Sequence, residues 1–135
     1  MRLSRASSYA INAVIQLAEG PERGPLPCSQ LSKNGDMPER FLLQVLRNLV
    51  NHGLLKSIRG VEGGYYLVKS PADVSLLEVI EATDGPLSPT IPPLEGLSKT
   101  SQDKVQSTLN DVVSETSRRL SKIRVSDLKS AGSRA

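Results

Sequence analysis

Pro38-Glu39-Arg40-Phe41-Leu42-Leu43-Gln44-Val45-Leu46-Arg47-Asn48-Leu49-Val50-Asn51-His52-Gly53, followed closely by Arg59-Gly60-Val61-Glu62-Gly63-Gly64, decides the fold. In the first run, Leu42, Val45, Leu46, Leu49 and Val50 recur at helical spacing and make one apolar face. Pro38 suits the first helical position, where its missing N–H would have had no partner, and Gly53 supplies the stop. The second run is a glycine-rich reversal between two short strands, expected near 54–58 and 65–69, and reads as a hairpin with a loop longer than two residues.

Upstream, Ala10, Ala13, Val14, Leu17 and Ala18 mark one face of a helix over 5–19, which Gly20-Pro21 stops. Gly24-Pro25-Leu26-Pro27 reads as a turn, 28–33 as a short second helix, and Asn34-Gly35-Asp36 as another turn. Downstream, Ser75-Leu76-Leu77-Glu78 is a capping box opening a fourth helix that ends at Asp84-Gly85. Pro86, Pro89, Pro92 and Pro93 then forbid regular structure. A long helix is expected over 101–124, and after it one capped turn and a frayed tail.

Three helices followed by a hairpin is the winged helix-turn-helix plan. The chain is therefore expected to be mostly α with a small β-hairpin wing, plus a long C-terminal dimerisation helix. The division is 1–84 for a DNA-binding domain, 85–100 for a Pro-rich linker and 101–135 for the dimerisation helix and tail. Val105, Leu109, Val112, Val113, Thr116, Leu120 and Ile123 share one side of the long helix. With no second domain to cover it, that stripe is expected to bury itself against another copy of the chain.

Composition narrows the class. The 135 residues are 38% hydrophobic and 23% charged, with three Tyr, one Phe and no Trp, so the core must be aliphatic. One cysteine excludes an internal disulfide framework and any metal site built from several thiolates. No apolar run is long enough to span a bilayer, and the N-terminus lacks a signal-peptide core, so a cytoplasmic protein is expected. One His, one Cys and scattered carboxylates offer no catalytic constellation, which argues against an enzyme. The net charge of +3 divides unevenly: 1–69 carries nine cations against five anions, 70–100 one against five, and 101–135 seven against four. Basic ends around an acidic middle suit a polyanionic partner.

The third helix shows how such a partner would be read. Arg40, Leu43, Gln44 and Arg47 recur on the side opposite the apolar face, with Glu39 beside them. Arg pairs with guanine edges or phosphates, Gln reads adenine, and Leu meets a thymine methyl. The N-terminal part of a recognition helix contacts bases, which favours Glu39, Arg40, Leu43 and Gln44 over Arg47. The bland alternative is a solvated helix face. At the wing, Arg59 beside Gly60 suits insertion into a minor groove, while Glu62 works against phosphate proximity. Gly63 and Gly64 permit the tight reversal with positive φ.

Taken together, Met1-Arg2-Leu3-Ser4…Tyr9-Ala10, the Gln44 helix, Gly53-Leu54-Leu55 and Arg59-Gly60-x-x-Gly63-Gly64-Tyr65-x-Leu67 resemble the Rrf2 transcription regulators, of the IscR, NsrR and CymR types. Leu76-x-Glu78-Val79-Ile80-x-Ala82 and Leu120…Ile123-x-Val125-x-Asp127-Leu128 extend the resemblance over nearly the whole chain. The resemblance implies a homodimeric winged-helix repressor or activator of transcription that recognises an imperfect palindrome in double-stranded DNA, and a repressor is the expectation here. Carried over by position, Ser4, Arg5 and Tyr9 touch phosphates, Glu39, Arg40, Leu43 and Gln44 face bases, and Arg59 with Gly60, Gly63 and Gly64 forms the minor-groove wing. Leu43 stands where cluster-binding members have Glu, so their base preference does not transfer.

Many members hold an iron–sulfur cluster on three cysteines between the fourth helix and the long one. Here that stretch, 85–103, contains neither Cys nor His, so a cluster-free regulator is expected, with no cofactor. Cys28 remains as the candidate redox sensor: it opens the second helix, whose dipole would lower its thiol pKa. The plainer reading of Cys28 is a small packed residue. His52 is expected to offset the dipole of the third helix, and a metal site is not expected. Two further readings compete: a winged-helix protein that regulates a partner protein or binds a small-molecule effector instead of DNA, and a constitutive repressor with no effector.

Overall fold

The computed structural model describes residues 1–20 and 24–130. Helix α1 (Arg5–Glu19) opens at Ser4, whose hydroxyl accepts the Ser7 N–H at 3.1 Å, and closes at Gly20. The expected continuation of that stop at Pro21 lies outside the described residues. Helix α2 (Cys28–Gly35) runs two residues further than its expected end, because Asp36 takes a left-handed conformation (φ 55°) and caps it. Helix α3 (Glu39–Asn51) follows at once. Pro38 stands one place earlier than expected, as the cap: its extended backbone lets its carbonyl accept the Leu42 N–H at 2.9 Å. Gly53 (φ 77°) ends α3 as the sequence predicts.

The wing is strand β1 (Leu55–Ile58) paired antiparallel with β2 (Gly64–Leu67), with Leu55 opposite Leu67 and Ile58 opposite Gly64. Both strands are shorter than expected, although a Val68 N–H to Leu54 carbonyl bond of 3.0 Å extends the ladder by one rung. A feature that no pattern in the sequence signals lies on the other edge of β2. Leu26, expected in a turn, exchanges two backbone bonds with Tyr65, at 3.0 and 2.8 Å, and makes a one-residue third strand. Gly64 (φ 149°) permits this approach: a Cβ there would lie 2.3 Å from the Leu26 backbone.

A 3-10 turn (Pro71–Asp73) leads to helix α4 (Leu76–Asp84), opened by the expected capping box: Ser75 Oγ accepts the Glu78 N–H at 3.1 Å, and Glu78 accepts the Ser75 N–H at 2.8 Å. Residues 85–98 contain no helix or strand. Helix α5 (Lys99–Lys122) begins two residues earlier than expected because Ser98 caps it, and at ~1.5 Å per residue it extends about 36 Å.

The chain then turns back. Ile123 accepts the Leu76 N–H at 2.8 Å, Val125 donates to Val74 at 2.9 Å, and helix α6 (Val125–Leu128) packs against the start of the fold. This is the capped turn the sequence suggests; of the expected tail, 131–135 lies outside the described residues. Val125 is buried in the same core as α1, α3 and α4.

That core is aliphatic, as composition requires. Leu31, Leu42, Leu46, Leu49, Leu55 and Ile80 are its largest fully buried side chains. Truncating one of them, such as Leu42→Ala, removes about 2–5 kcal/mol of stability. Such packing keeps α3 and the wing in a fixed relation, and that relation positions the candidate site.

Candidate nucleic-acid interface

The face of α3 turned from the core carries Glu39, Arg40, Gln44 and Arg47, all exposed. Leu43, expected beside them as a base contact, is half-buried. It sits at the edge of that face, between the exposed strip and the core. Arg59 follows β1 directly and is exposed, as is Gly60 (φ 116°). Gly63 keeps an ordinary φ, contrary to the expectation of two positive-φ glycines, and is required for a different reason. A Cβ on it would lie 2.1 Å from the Ile58 carbonyl oxygen. Among the described residues, neither Arg40, Arg47 nor Arg59 forms an ion pair, and all three are exposed.

The start of α1 contributes less openly than expected. Arg5 is exposed and Tyr9 half-buried. The hydroxyl of Ser4 is hydrogen-bonded to Asp84 Oδ1, and its N–H donates to Asp84 Oδ2 at 3.2 Å. Ser4 therefore joins the N-terminus of α1 to the C-terminus of α4. Partial burial pushes the Asp84 carboxyl up, but hydrogen bonds from Ser4 and Ser7 outweigh it and hold the group below the usual carboxylate range. Tyr9 meets a partner the sequence did not reveal: Phe41, on α3. No spacing in the sequence signals this contact, because periodicity within one helix does not register a partner on another.

Cys28 corrects one expectation. Its position at the first turn of α2 predicted a lowered thiol pKa. Partial burial and the neighbouring charge of Glu39 push the thiol up instead, and its Sγ lies 3.7 Å from the Glu39 carbonyl oxygen. Tyr65 is raised as well, by burial and by Cys28, with Arg47 opposing. His52 caps α3, its Nδ1 3.0 Å from the Asn48 carbonyl oxygen.

Along the expected dimer stripe, Val105, Leu109, Val113 and Thr116 are half-buried and Val112 is exposed. Leu120 and Ile123 differ from these. Leu120 is buried within its own chain, and Ile123 is half-buried where its carbonyl holds the start of α4. A cavity of about 210 Å³ lies between Met1, Arg2, Leu87, Ser88 and the Val112, Val113 and Thr116 part of α5.

The donor set does not fit an iron–sulfur cluster. The chain has one Cys and one His, and the segment between α4 and α5 has neither. Among the described residues no three His, Cys, Asp or Glu side chains converge to hold a metal ion. No helix among them is long and apolar enough to cross a membrane.

The Rrf2 family, described as iron-dependent transcriptional regulators, matches residues 3–131. An Rrf2-like HTH-type transcriptional regulator of Rhodobacter capsulatus is 36% identical over 90 residues, which cover 64% of this chain and 60% of that protein. CymR of Bacillus subtilis is 34% identical over 89 residues, covering 66% of this chain and 64% of CymR. The matched part thus spans less than two thirds of the length of these curated relatives. The solved structure of B. subtilis CymR, titled the global cysteine regulator of that organism, superposes with a TM-score of 0.75 at 29% identity over 95% of each chain. An IscR from T. potens superposes with the same TM-score at 24% identity over 95% of this chain and 85% of that one, a likeness of fold. These relatives are named as transcriptional regulators and not as enzymes. On its sequence match and its winged-helix architecture, the chain belongs to the Rrf2 family of transcriptional regulators.

Proposed function

We propose that this protein is a cytoplasmic, sequence-specific DNA-binding repressor that acts as a homodimer on a palindromic operator and works without an iron–sulfur cluster. The observation that carries the reading is the placement of two sets of uncompensated cations on one packed body. Arg40 and Arg47 project with Gln44 from α3, and Arg59 projects from the wing. The Leu26–Tyr65 bridge fixes the wing to the chain entering α2, so α3 and the wing approach a duplex as one unit. In this reading α3 lies in a major groove, Glu39, Arg40 and Gln44 meet base edges, and Arg47, Arg5 and Tyr9 meet phosphates. Arg59 enters the adjacent minor groove, with Gly60 giving it clearance.

The homodimer rests on α5. A helix of 24 residues with one buried side chain, Leu120, is not stabilised by its own chain over most of its length. The stripe from Val105 to Thr116 is the surface a second copy would cover. Two symmetric copies would present two wings and two recognition helices to the two halves of a palindrome. Cys28 has a packing role in this reading, because a thiol pushed up by burial and by Glu39 is poorly activated.

The test is a titration of labelled duplex at several salt concentrations. Phosphate contacts release counterions, so affinity should fall steeply with salt, and Arg47→Ala should reduce the slope by about one. Affinity for a partner protein without affinity for duplex would replace this reading with the protein-binding alternative.

A further inference from the structure

The wing tip carries two charges of opposite sign that do not neutralise each other. Arg59 and Glu62 are three residues apart and both exposed, yet among the described residues neither forms an ion pair or a side-chain hydrogen bond. The loop is closed by a Gly63 N–H to Gly60 carbonyl bond of 3.0 Å, which makes Val61 and Glu62 the two central residues of a tight turn. Val61 at 105% relative exposure is the most exposed large hydrophobic among the described residues, so the crest of the wing is this pair. Gly63 cannot carry a side chain without meeting Ile58, which holds the crest in this form.

The chemistry of the minor groove gives each charge a different partner. Its floor offers acceptors on every base pair, purine N3 and pyrimidine O2, which suit the donor-only guanidinium of Arg59. It offers one kind of donor, the exocyclic N2 amino group of guanine. A glutamate carboxylate accepts only. In a groove of strongly negative potential it is repelled at A·T pairs and has a single hydrogen-bonding partner, at G·C pairs.

On the DNA-binding reading above, we propose that Glu62 is a specificity-determining residue that accepts a guanine N2 amino group in the minor groove beside the A·T step occupied by Arg59. The dimensions agree. Glu62 lies inside the Gly60–Gly63 turn, whose ends are less than about 7 Å apart, and Arg59 directly precedes that turn; successive base pairs rise ~3.4 Å, so two side chains rooted this close together reach neighbouring base pairs. The wing then reads an A·T step bordered by G·C, where an arginine alone would read groove width. Val61, which has no polar group to compete, packs on the sugar wall between them.

The test uses inosine, which keeps the major-groove face of guanine and lacks the N2 amino group. In the operator recovered by selection with the full chain, the guanine under each wing is replaced by inosine, and binding is measured for the parent and for Glu62→Ala. The exposed, unpartnered side chain makes that variant a fair comparison, checked by an unchanged thermal midpoint. The expected result is about a tenfold loss of parent affinity, the loss of one charge-assisted hydrogen bond, and no loss for Glu62→Ala. Specific binding by the parent that is indifferent to inosine, or an operator with no guanine beneath the wing, overturns the proposal and leaves the DNA-binding reading intact. Equal tightening on every sequence by Glu62→Ala also overturns it, since Glu62 would then only repel phosphates. Absence of any specific duplex binding by the parent overturns the underlying reading itself.

Discussion

The ring of Tyr9 on α1 meets the ring of Phe41 on α3 edge to face, with centroids 5.3 Å apart and planes inclined by 70°. This contact ties the first helix to the N-terminal turn of the recognition helix, the turn that reads bases in the proposed complex. An aromatic pair of this geometry contributes about 0.5–1.5 kcal/mol beyond the area it buries. Phe41→Ala is expected to lower the thermal midpoint by a few degrees. Tyr9→Phe keeps the ring, so the midpoint should stay while operator affinity falls through loss of the phosphate-facing hydroxyl. Equal effects of both on the midpoint would show that the hydroxyl acts in folding.

Gln44 and Arg59 should separate in their effects. Gln44→Ala removes a base contact and should relax preference at one operator position by ~1–3 kcal/mol. Arg59→Ala should weaken binding at the wing-facing step. Uniform weakening over all sequences by Gln44→Ala would remove it from base readout.

Asp84 gives stability a pH dependence. Its carboxyl lies below its ordinary range in the folded chain, so the ionised form is favoured by folding. That contribution is present above the unfolded pKa, about 4, and is lost as pH falls through the lower folded value. Asp84→Asn should therefore unfold at a lower temperature than the parent near neutrality, and the gap should close in acid. A gap that stays constant with pH would mean that the Ser4 contacts do not depend on charge.

Aspartates placed together at Leu109 and Val113 are expected to yield monomers, as read by sedimentation or light scattering. These side chains are half-buried in the single chain, so a second readout is needed: the circular dichroism of the remaining helices should persist. An unchanged dimer mass would move the seam elsewhere.

Cys28→Ser should leave operator affinity unchanged, with and without peroxide, and the parent thiol should alkylate more slowly than free cysteine at neutral pH. Peroxide-sensitive binding lost in Cys28→Ser would restore the sensor role that the position of Cys28 first suggested.

What was legible in the sequence is what is local. The face of α3, the Gly53 stop and the Ser75–Glu78 capping box are written in spacings of three and four residues, and each appears in the structure. What was not legible joins distant positions. Leu26 becomes a strand of one residue, too short for any alternation to announce. Ser4 and Asp84 meet across 80 residues, and that contact takes the hydroxyl expected to face phosphate. The return of Val125 to the core depends on pairing with Val74, which neither segment's pattern encodes. Cys28 shows the other limit: helix position was readable, but the burial and the Glu39 charge that set its pKa were not.

In the proposed function α3 and the wing read DNA as part of a symmetric pair. Selection of binding sites from random duplex DNA, repeated at two salt concentrations, tests it most directly. The expected result is a two-fold symmetric site whose affinity falls steeply as salt rises. Recovery of no sequence above background, from folded dimeric protein, would contradict it.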